Sequence, residues 1–403
     1  MRLSTSLVIG VGLVLSLLVG AGAQPVQVEN PFKIKPKEKP KQKPQNEIIQ
    51  EFPSNDVMRT AWKVHYATRN GFGLIIQDAF FKKTPTDPWM QVLGDARVSE
   101  LFVPYHSGSP RFWDVSYNFA LCPVTAVDAG PHGKLHGSPP KVVSEIRDRG
   151  IIWVDSTKAR RGQSLILRAT IDAANYRYVI EYGFQDDGAI SFRVGSTGRN
   201  YASREWEGHM HNTLWRIDVN LDGPDNNSVY VTEHIEPDGD PGKAKSVQKP
   251  FNNGKEGFLD WAPEKFTTVQ VVNPERKNIR GKPFTYDFVS MRMGNARHFN
   301  GKNEECTQHD FWVTKANPDE IYYTRLPTYV GLADAKGNKL AVSEAESIMN
   351  TDVVVWHSTP GHHEPRSEDG EMKGNTLVGV TPIMWSGFDL KPRNIFDRSP
   401  LYP

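Results

Sequence analysis

Short segments rich in β-branched and aromatic residues recur along the chain at positions 72–76, 164–168, 178–182, 189–194 and 228–231, mostly bounded by Gly, Asp or Asn. Such runs predict strands. Gln185-Asp186-Asp187-Gly188 predicts a hairpin turn between two of them. Helical periodicity is confined to short stretches such as 344–349, and no repeat recurs at a fixed period. The expected fold is therefore all-β, a large antiparallel β-sandwich occupying residues 51–403 as one domain.

The N-terminal region reads differently. Arg2 precedes an apolar stretch at 7–19, and Ala21-Gly22-Ala23 stands before Gln24, so residues 1–23 read as a secretory signal peptide and predict a secreted or periplasmic protein. The apolar stretch is short and broken by glycine, so no transmembrane anchor is expected. Residues 24–50 interleave Lys33, Lys35, Lys37, Lys39, Lys41 and Lys43 with Pro36, Pro40 and Pro44, the composition of an extended, solvated linker. Across the whole chain 48 basic residues face 47 acidic ones, which gives no reason to expect nucleic acid as a partner. The two cysteines, Cys122 and Cys306, fit either a disulfide or two free thiols.

Chemistry enters with His209-Met210-His211. Alternate residues of a strand face the same side, so His209 and His211 would present two imidazoles to one ion, which is half of a metal site. The following residues alternate as a strand does and run to an Asp222-Gly223 turn. A His-x-His strand by itself equally fits two histidines facing solvent.

The histidine strand with Arg216-Ile217-Asp218-Val219-Asn220-Leu221-Asp222-Gly223 is similar to one in copper amine oxidases. In matching order stand Glu100-Leu101-Phe102-Val103-Pro104-Tyr105, Val271-Val272-Asn273-Pro274 and Phe311-Trp312-Val313-Thr314. Asp352-Val353-Val354-Val355-Trp356, His363-Glu364-Pro365-Arg366-Ser367-Glu368-Asp369 and Asn394-Ile395-Phe396-Asp397 complete the series. The resemblance runs roughly from residue 62 to 400 and is to the family's catalytic domain alone. It implies a homodimeric enzyme that converts a primary amine, O2 and water to an aldehyde, ammonia and hydrogen peroxide.

Carried over residue by residue, the resemblance makes His209, His211 and His363 the Cu(II) ligands, the His-x-Pro-Arg spacing selecting His363 over His362. Asn175-Tyr176 resembles the Asn-Tyr pair whose tyrosine becomes topaquinone, a cofactor that takes electrons from the amine while the protein orients it. Two residues depart from the pattern: Asp172 replaces Thr or Ser, and Arg177 replaces an acidic residue. Arg177 would either favour the phenolate or obstruct copper. Tyr105 matches the tyrosine that hydrogen-bonds the quinone. The base that removes the substrate α-proton is expected at Asp114, which requires a gap; ungapped matching puts Phe119 there, and Asp128 is a second candidate. Asp218, Asn220 and Asp397 match a peripheral Ca(II) or Mn(II) site, with Asn220 lowering its charge.

Two other classes compete. One is a copper-binding relative that lacks oxidase activity; the other is an exported sandwich that binds polysaccharide through tryptophans such as Trp206 and Trp261.

Overall fold

The computed structural model describes residues 46–52, 59–291, 302–334, 336, 338–339 and 345–400. The signal-peptide expectation therefore falls outside the described residues, as does most of the linker. In chain order the strands are β1 (Asn46–Glu51), β2 (Ala61–Arg69), β3 (Gly73–Lys82), β4 (Met90–Pro104), β5 (Arg111–Trp113), β6 (Lys134–Gly137), β7 (Pro140–Val154), β8 (Ala159–Ala173), β9 (Tyr176–Gln185) and β10 (Ile190–Arg199). They continue as β11 (His209–Val219), β12 (Ser228–Ile235), β13 (Lys245–Pro250), β14 (Gly257–Leu259), β15 (Thr268–Lys277), β16 (Pro283–Met291), β17 (Phe311–Lys315), β18 (Val353–His363), β19 (Gly370–Lys373) and β20 (Thr376–Arg393).

These strands form two antiparallel sheets. One runs β1-β2-β3-β4-β11-β18-β17-β14 with β5 beside β4; the other runs β13-β12-β15-β16-β20-β10-β9-β8-β7-β6 with β19 beside β20. The sheets pack face to face, and apolar residues from both form one core in which Trp215, Tyr182, Phe192 and Phe388 meet ring to ring. The all-β antiparallel sandwich expected from the strand pattern is the fold observed. No helix among the described residues is long and apolar enough to cross a membrane.

Strand β11 positions the site. All eleven of its residues are buried, because both of its faces are covered. Trp215, Ile217 and Val219 enter the core between the sheets. Leu214 packs on the other face with Phe102, Trp113, Trp356 and Tyr323. Period-two alternation puts His209 and His211 on the Trp215 side, inside the sandwich.

Two expectations change and one open alternative is settled. The segment placed in the linker contains β1, whose Asn46–Glu51 pair with Ala61–Tyr66 and half-bury Ile48 against the core. Residues 345–349 are not helical: Ser347 bridges to Lys255, and the Glu346 amide donates to the Glu256 carboxylate at 3.1 Å, so tertiary pairing overrides a weak local period. Cys122 and Cys306 are both free thiols.

Candidate active site

His209 opens β11 and is the register partner of His363, the last residue of β18. The His209 ring lies 4.9 Å, centre to centre, from those of both His211 and His363, and all three are buried. All three have one nitrogen already anchored, that of His211 being Nδ1, 3.4 Å from the Tyr178 hydroxyl. His209 Nδ1 meets the Glu207 carbonyl at 2.9 Å. His363 Nε2 meets the Asp369 carboxylate at 3.4 Å, and Asp369 is held by the amide (2.8 Å) and guanidinium (3.0 Å) of Arg366. These contacts leave His209 Nε2 and His363 Nδ1 turned inward.

Burial keeps the imidazoles neutral. It pushes the His209 pKa down to about 4, that of His211 well below 6.5, and that of His363 down against the opposing pull of Asp369. His211 Nε2 is buried without a hydrogen-bond partner. An orphaned buried nitrogen costs about 1–3 kcal/mol, a penalty that an ion bound there would remove. Three neutral imidazoles with an unpaired buried nitrogen are the donor chemistry of Cu(II) or Zn(II). With the Tyr176 hydroxyl lying between His209 Nε2 and His363 Nδ1, no choice of one nitrogen from each ring puts all three within 4.8 Å of one another, so holding an ion requires the rings to draw in.

Tyr176 opens β9 after the turn at Ala174 (φ 60°) and Asn175. Gly198 packs against this corner at φ 128°; a Cβ there would lie 2.5 Å from the Asn175 carbonyl oxygen. The Tyr176 hydroxyl lies 3.0 Å from His209 Nε2 and 3.5 Å from His363 Nδ1, and is also bonded to Asn200 (3.0 Å) and Thr381. The phenol therefore sits between the inward-facing nitrogens of His209 and His363, with burial raising its pKa. Asn175 itself is exposed, its amide bracing the turn against the Arg199 carbonyl at 2.7 Å.

Arg177 has a partner away from the Tyr176 ring. It pairs across the hairpin with Asp172, its register partner, at 2.7 Å. Strand alternation turns it to the face opposite the Tyr176 ring. The two departures from the family pattern are thus one ion pair.

Asp114 follows β5, which folds back on β4, and its amide donates to the Leu101 carbonyl at 2.9 Å. Its carboxylate accepts the Tyr178 hydroxyl at 2.5 Å. Burial raises the Asp114 pKa to about 7; Tyr178 opposes the shift and Glu100 adds to it. The Tyr178 hydroxyl is also 3.4 Å from His211 Nδ1, so one tyrosine bridges the carboxyl and a candidate ligand. The rival positions lie elsewhere. Phe119 packs half-buried against Tyr117. Asp128 caps the short helix Ala126–Ala129 through the Thr125 amide and hydroxyl.

Tyr105 stacks on His209 with ring centres 4.5 Å apart, so it bears on the site through that imidazole. His362 lies against His106 rather than with the three buried rings. A cavity of about 310 Å³ borders His363 and Asp369, with His362, Glu364 and Met384 also in its wall. Asp218 and Asn220 meet beside Gly94, and Asn220 Oδ1 is buried without a partner. Arg216 stands 3.9 Å from Asp218, and Asp397 accepts the Ile279 amide at 2.9 Å. Trp261 donates its indole N–H to Thr267, while Trp206 is exposed.

Sequence reasoning missed Tyr178, Asn200, Thr381 and the role of Asp369. Tyr178 carried a signal, since it lies two residues after Tyr176 on a strand and so shares its face. Asn200 and Thr381 carried none, because only the register of β10 and β20 delivers them.

A family model described as copper amine oxidase, enzyme domain, matches residues 147–402. Copper amine oxidase 1 of Aspergillus niger is 27% identical over 397 residues, covering 84% of this chain and 56% of that protein. Primary amine oxidase 2 of Arabidopsis thaliana is 25% identical, covering 84% of this chain and 57% of its own length. The chain thus spans little more than half the length of these relatives. Among solved structures, a copper-containing benzylamine oxidase from Hansenula polymorpha superposes with a TM-score of 0.60 at 18% identity, over 84% of this chain and 60% of that one. An amine oxidase of Aspergillus nidulans gives 0.62 at 17%, over 91% and 56%. Both likenesses are of fold.

Proposed function

The chain belongs to the copper amine oxidase family, and from that premise we propose that it is an exported primary-amine oxidase using Cu(II) and a topaquinone made from Tyr176. The observation that carries the reading is the Tyr176 hydroxyl 3.0 Å from His209 Nε2, among three neutral imidazoles. His209, His211 and His363 would hold Cu(II), which with O2 would supply the oxidation of Tyr176 and the later reoxidation of the cofactor.

The chain's own residues do the rest. Asn200 and Thr381 hold the Tyr176 oxygen toward the ligand nitrogens. Asp369 and the Glu207 carbonyl fix the ring orientations of His363 and His209, as partners behind metal ligands do. Asp114 takes the α-proton of the amine substrate; a carboxyl poised near pH 7 suits that task, and Tyr178 orients it. Water then releases an aldehyde, and ammonia and hydrogen peroxide complete the products. A peripheral Ca(II) or Mn(II) at Asp218, Asn220 and Asp397, and a homodimer, belong to the same proposal.

The test is peptide mass spectrometry of protein expressed without copper and then given Cu(II) in air. Gain of two oxygens and loss of two hydrogens at Tyr176 is the expected result. Copper bound beside an unmodified Tyr176 would make the protein a metal-binding relative without oxidase activity, and failure to bind copper would sink both readings.

A further inference from the structure

Among the described residues, His106, His362 and Glu364 bring potential metal ligands together on the outer side of the same strand ends. His106 follows β4, His362 is the penultimate residue of β18, and Glu364 follows that strand. Because β11 runs between β4 and β18, these ends converge over Gly208, whose carbonyl accepts the His106 amide at 3.0 Å. A Cβ at position 208 would run into the Glu364 carboxylate and come within 2.6 Å of the His106 ring, so glycine there lets the three side chains close.

The His106 and His362 rings stack 5.1 Å apart at 17°, with their Nε2 atoms 3.2 Å from each other. Glu364 Oε2 lies 3.7 Å from His362 Nε2, and one ligand atom from each residue lies within 4.8 Å of the other two. Donors bonded at about 2.0–2.1 Å to a tetrahedral ion stand about 3.3 Å apart. The 3.2 and 3.7 Å pairs are near that, whereas Glu364 Oε2 lies 3.9 Å from His106 Nδ1 and not beside the Nε2 that faces His362, so the exposed carboxylate must turn to complete the set. Two imidazoles and one carboxylate select borderline transition metals over Ca(II) and Mg(II), which take oxygen ligands.

We propose that His106, His362 and Glu364 form a second site, open to solvent, for a divalent transition-metal ion, zinc or copper. It lies back to back with the buried histidines, since His362 and His363 are consecutive on β18 and face opposite sides. Three protein ligands leave a fourth position to water, so the ion exchanges with solvent. Bound there, it ties together the ends of β4 and β18 beside Tyr105 and His363. The site stands whether or not the chain oxidises amines.

The test is stoichiometry. Full-length protein stripped with chelator is titrated with Zn(II) by calorimetry and, separately, with Cu(II) by electron paramagnetic resonance. The native chain should bind two equivalents. His106→Ala and Glu364→Gln should each lose one, and His211→Ala should lose the other while keeping this one. If only one equivalent binds to the native chain, its survival in His211→Ala and loss in His106→Ala would still support the outer site. Unchanged stoichiometry in both His106→Ala and Glu364→Gln, with circular dichroism showing them folded, would overturn it.

Discussion

Replacing Asp114 with asparagine should make the protein more stable at alkaline pH while abolishing amine turnover. The carboxyl is only 9% exposed, and its pKa stands at about 7 against an ordinary 3.8. Burial is the main cause, and the hydrogen bond from Tyr178 offsets only part of it. With the folded pKa raised, the native state keeps a proton that the unfolded chain has released. The stability this carboxyl contributes is therefore complete below the unfolded pKa, drains away as pH rises through about 7, and is constant above that. At 1.36 kcal/mol per pKa unit, the native chain loses roughly 2.5 kcal/mol from this group between pH 5 and pH 8. The amide variant has the same shape, can still accept the Tyr178 hydrogen bond and never ionises. Urea denaturation of copper-free native and Asp114→Asn protein at both pH values isolates the effect, because all other titrating groups cancel. The variant's advantage should grow by roughly 2.5 kcal/mol from pH 5 to pH 8. A difference that stays constant or shrinks would refute the reasoning, as would a variant that still turns over amines.

Three further outcomes are expected. Copper should stay bound through dialysis at pH 5.5, because burial holds His209 near 4 and keeps the other two imidazoles below 6.5; release with a midpoint near 6.5 would count against ligation by these residues. Gly198→Ala should cost about 1–3 kcal/mol in denaturant unfolding and slow conversion of Tyr176, since φ 128° and the Asn175 carbonyl both resist a Cβ. Arg177→Ala should change stability by less than about 1 kcal/mol, because its pair with Asp172 is partly exposed, and should leave conversion of Tyr176 intact by peptide mass. Loss of conversion there would show that the guanidinium acts on the ring after all.

Alternation made the sandwich legible in the sequence, and it made His209 and His211 legible as a same-face pair. His363 was named from resemblance, and the register that sets it opposite His209 is what brings the two rings together. Asp114 required choosing a gap, and the return of β5 along β4 is what buries it beside Tyr178. The Arg177–Asp172 pair was illegible for a simple reason: adjacency in sequence suggested adjacency to the Tyr176 ring, whereas neighbours on a strand face opposite ways. The cluster of His106, His362 and Glu364 was illegible because its members meet only through the order of β4, β11 and β18. The helix expected at 344–349 failed because six residues of weak periodicity cannot compete with pairing to Glu256 and Lys255.

The full burial of β11 also sets a timetable for synthesis. A strand with no solvent face finds its place only when both neighbours and both covering layers exist, and β18 is made late. Tyr176 and His363 are 187 residues apart in the chain, and the His-x-His pair at 209 and 211 also precedes β18 by a long stretch, so a nascent polypeptide carries all three rings long before the remaining imidazole leaves the ribosome. Contacts over such separations close slowly. Under the proposed ligation, ion capture and completion of the sandwich would in consequence be one late event, and a chain arrested before residue 353 would present two histidines with nothing to finish their coordination.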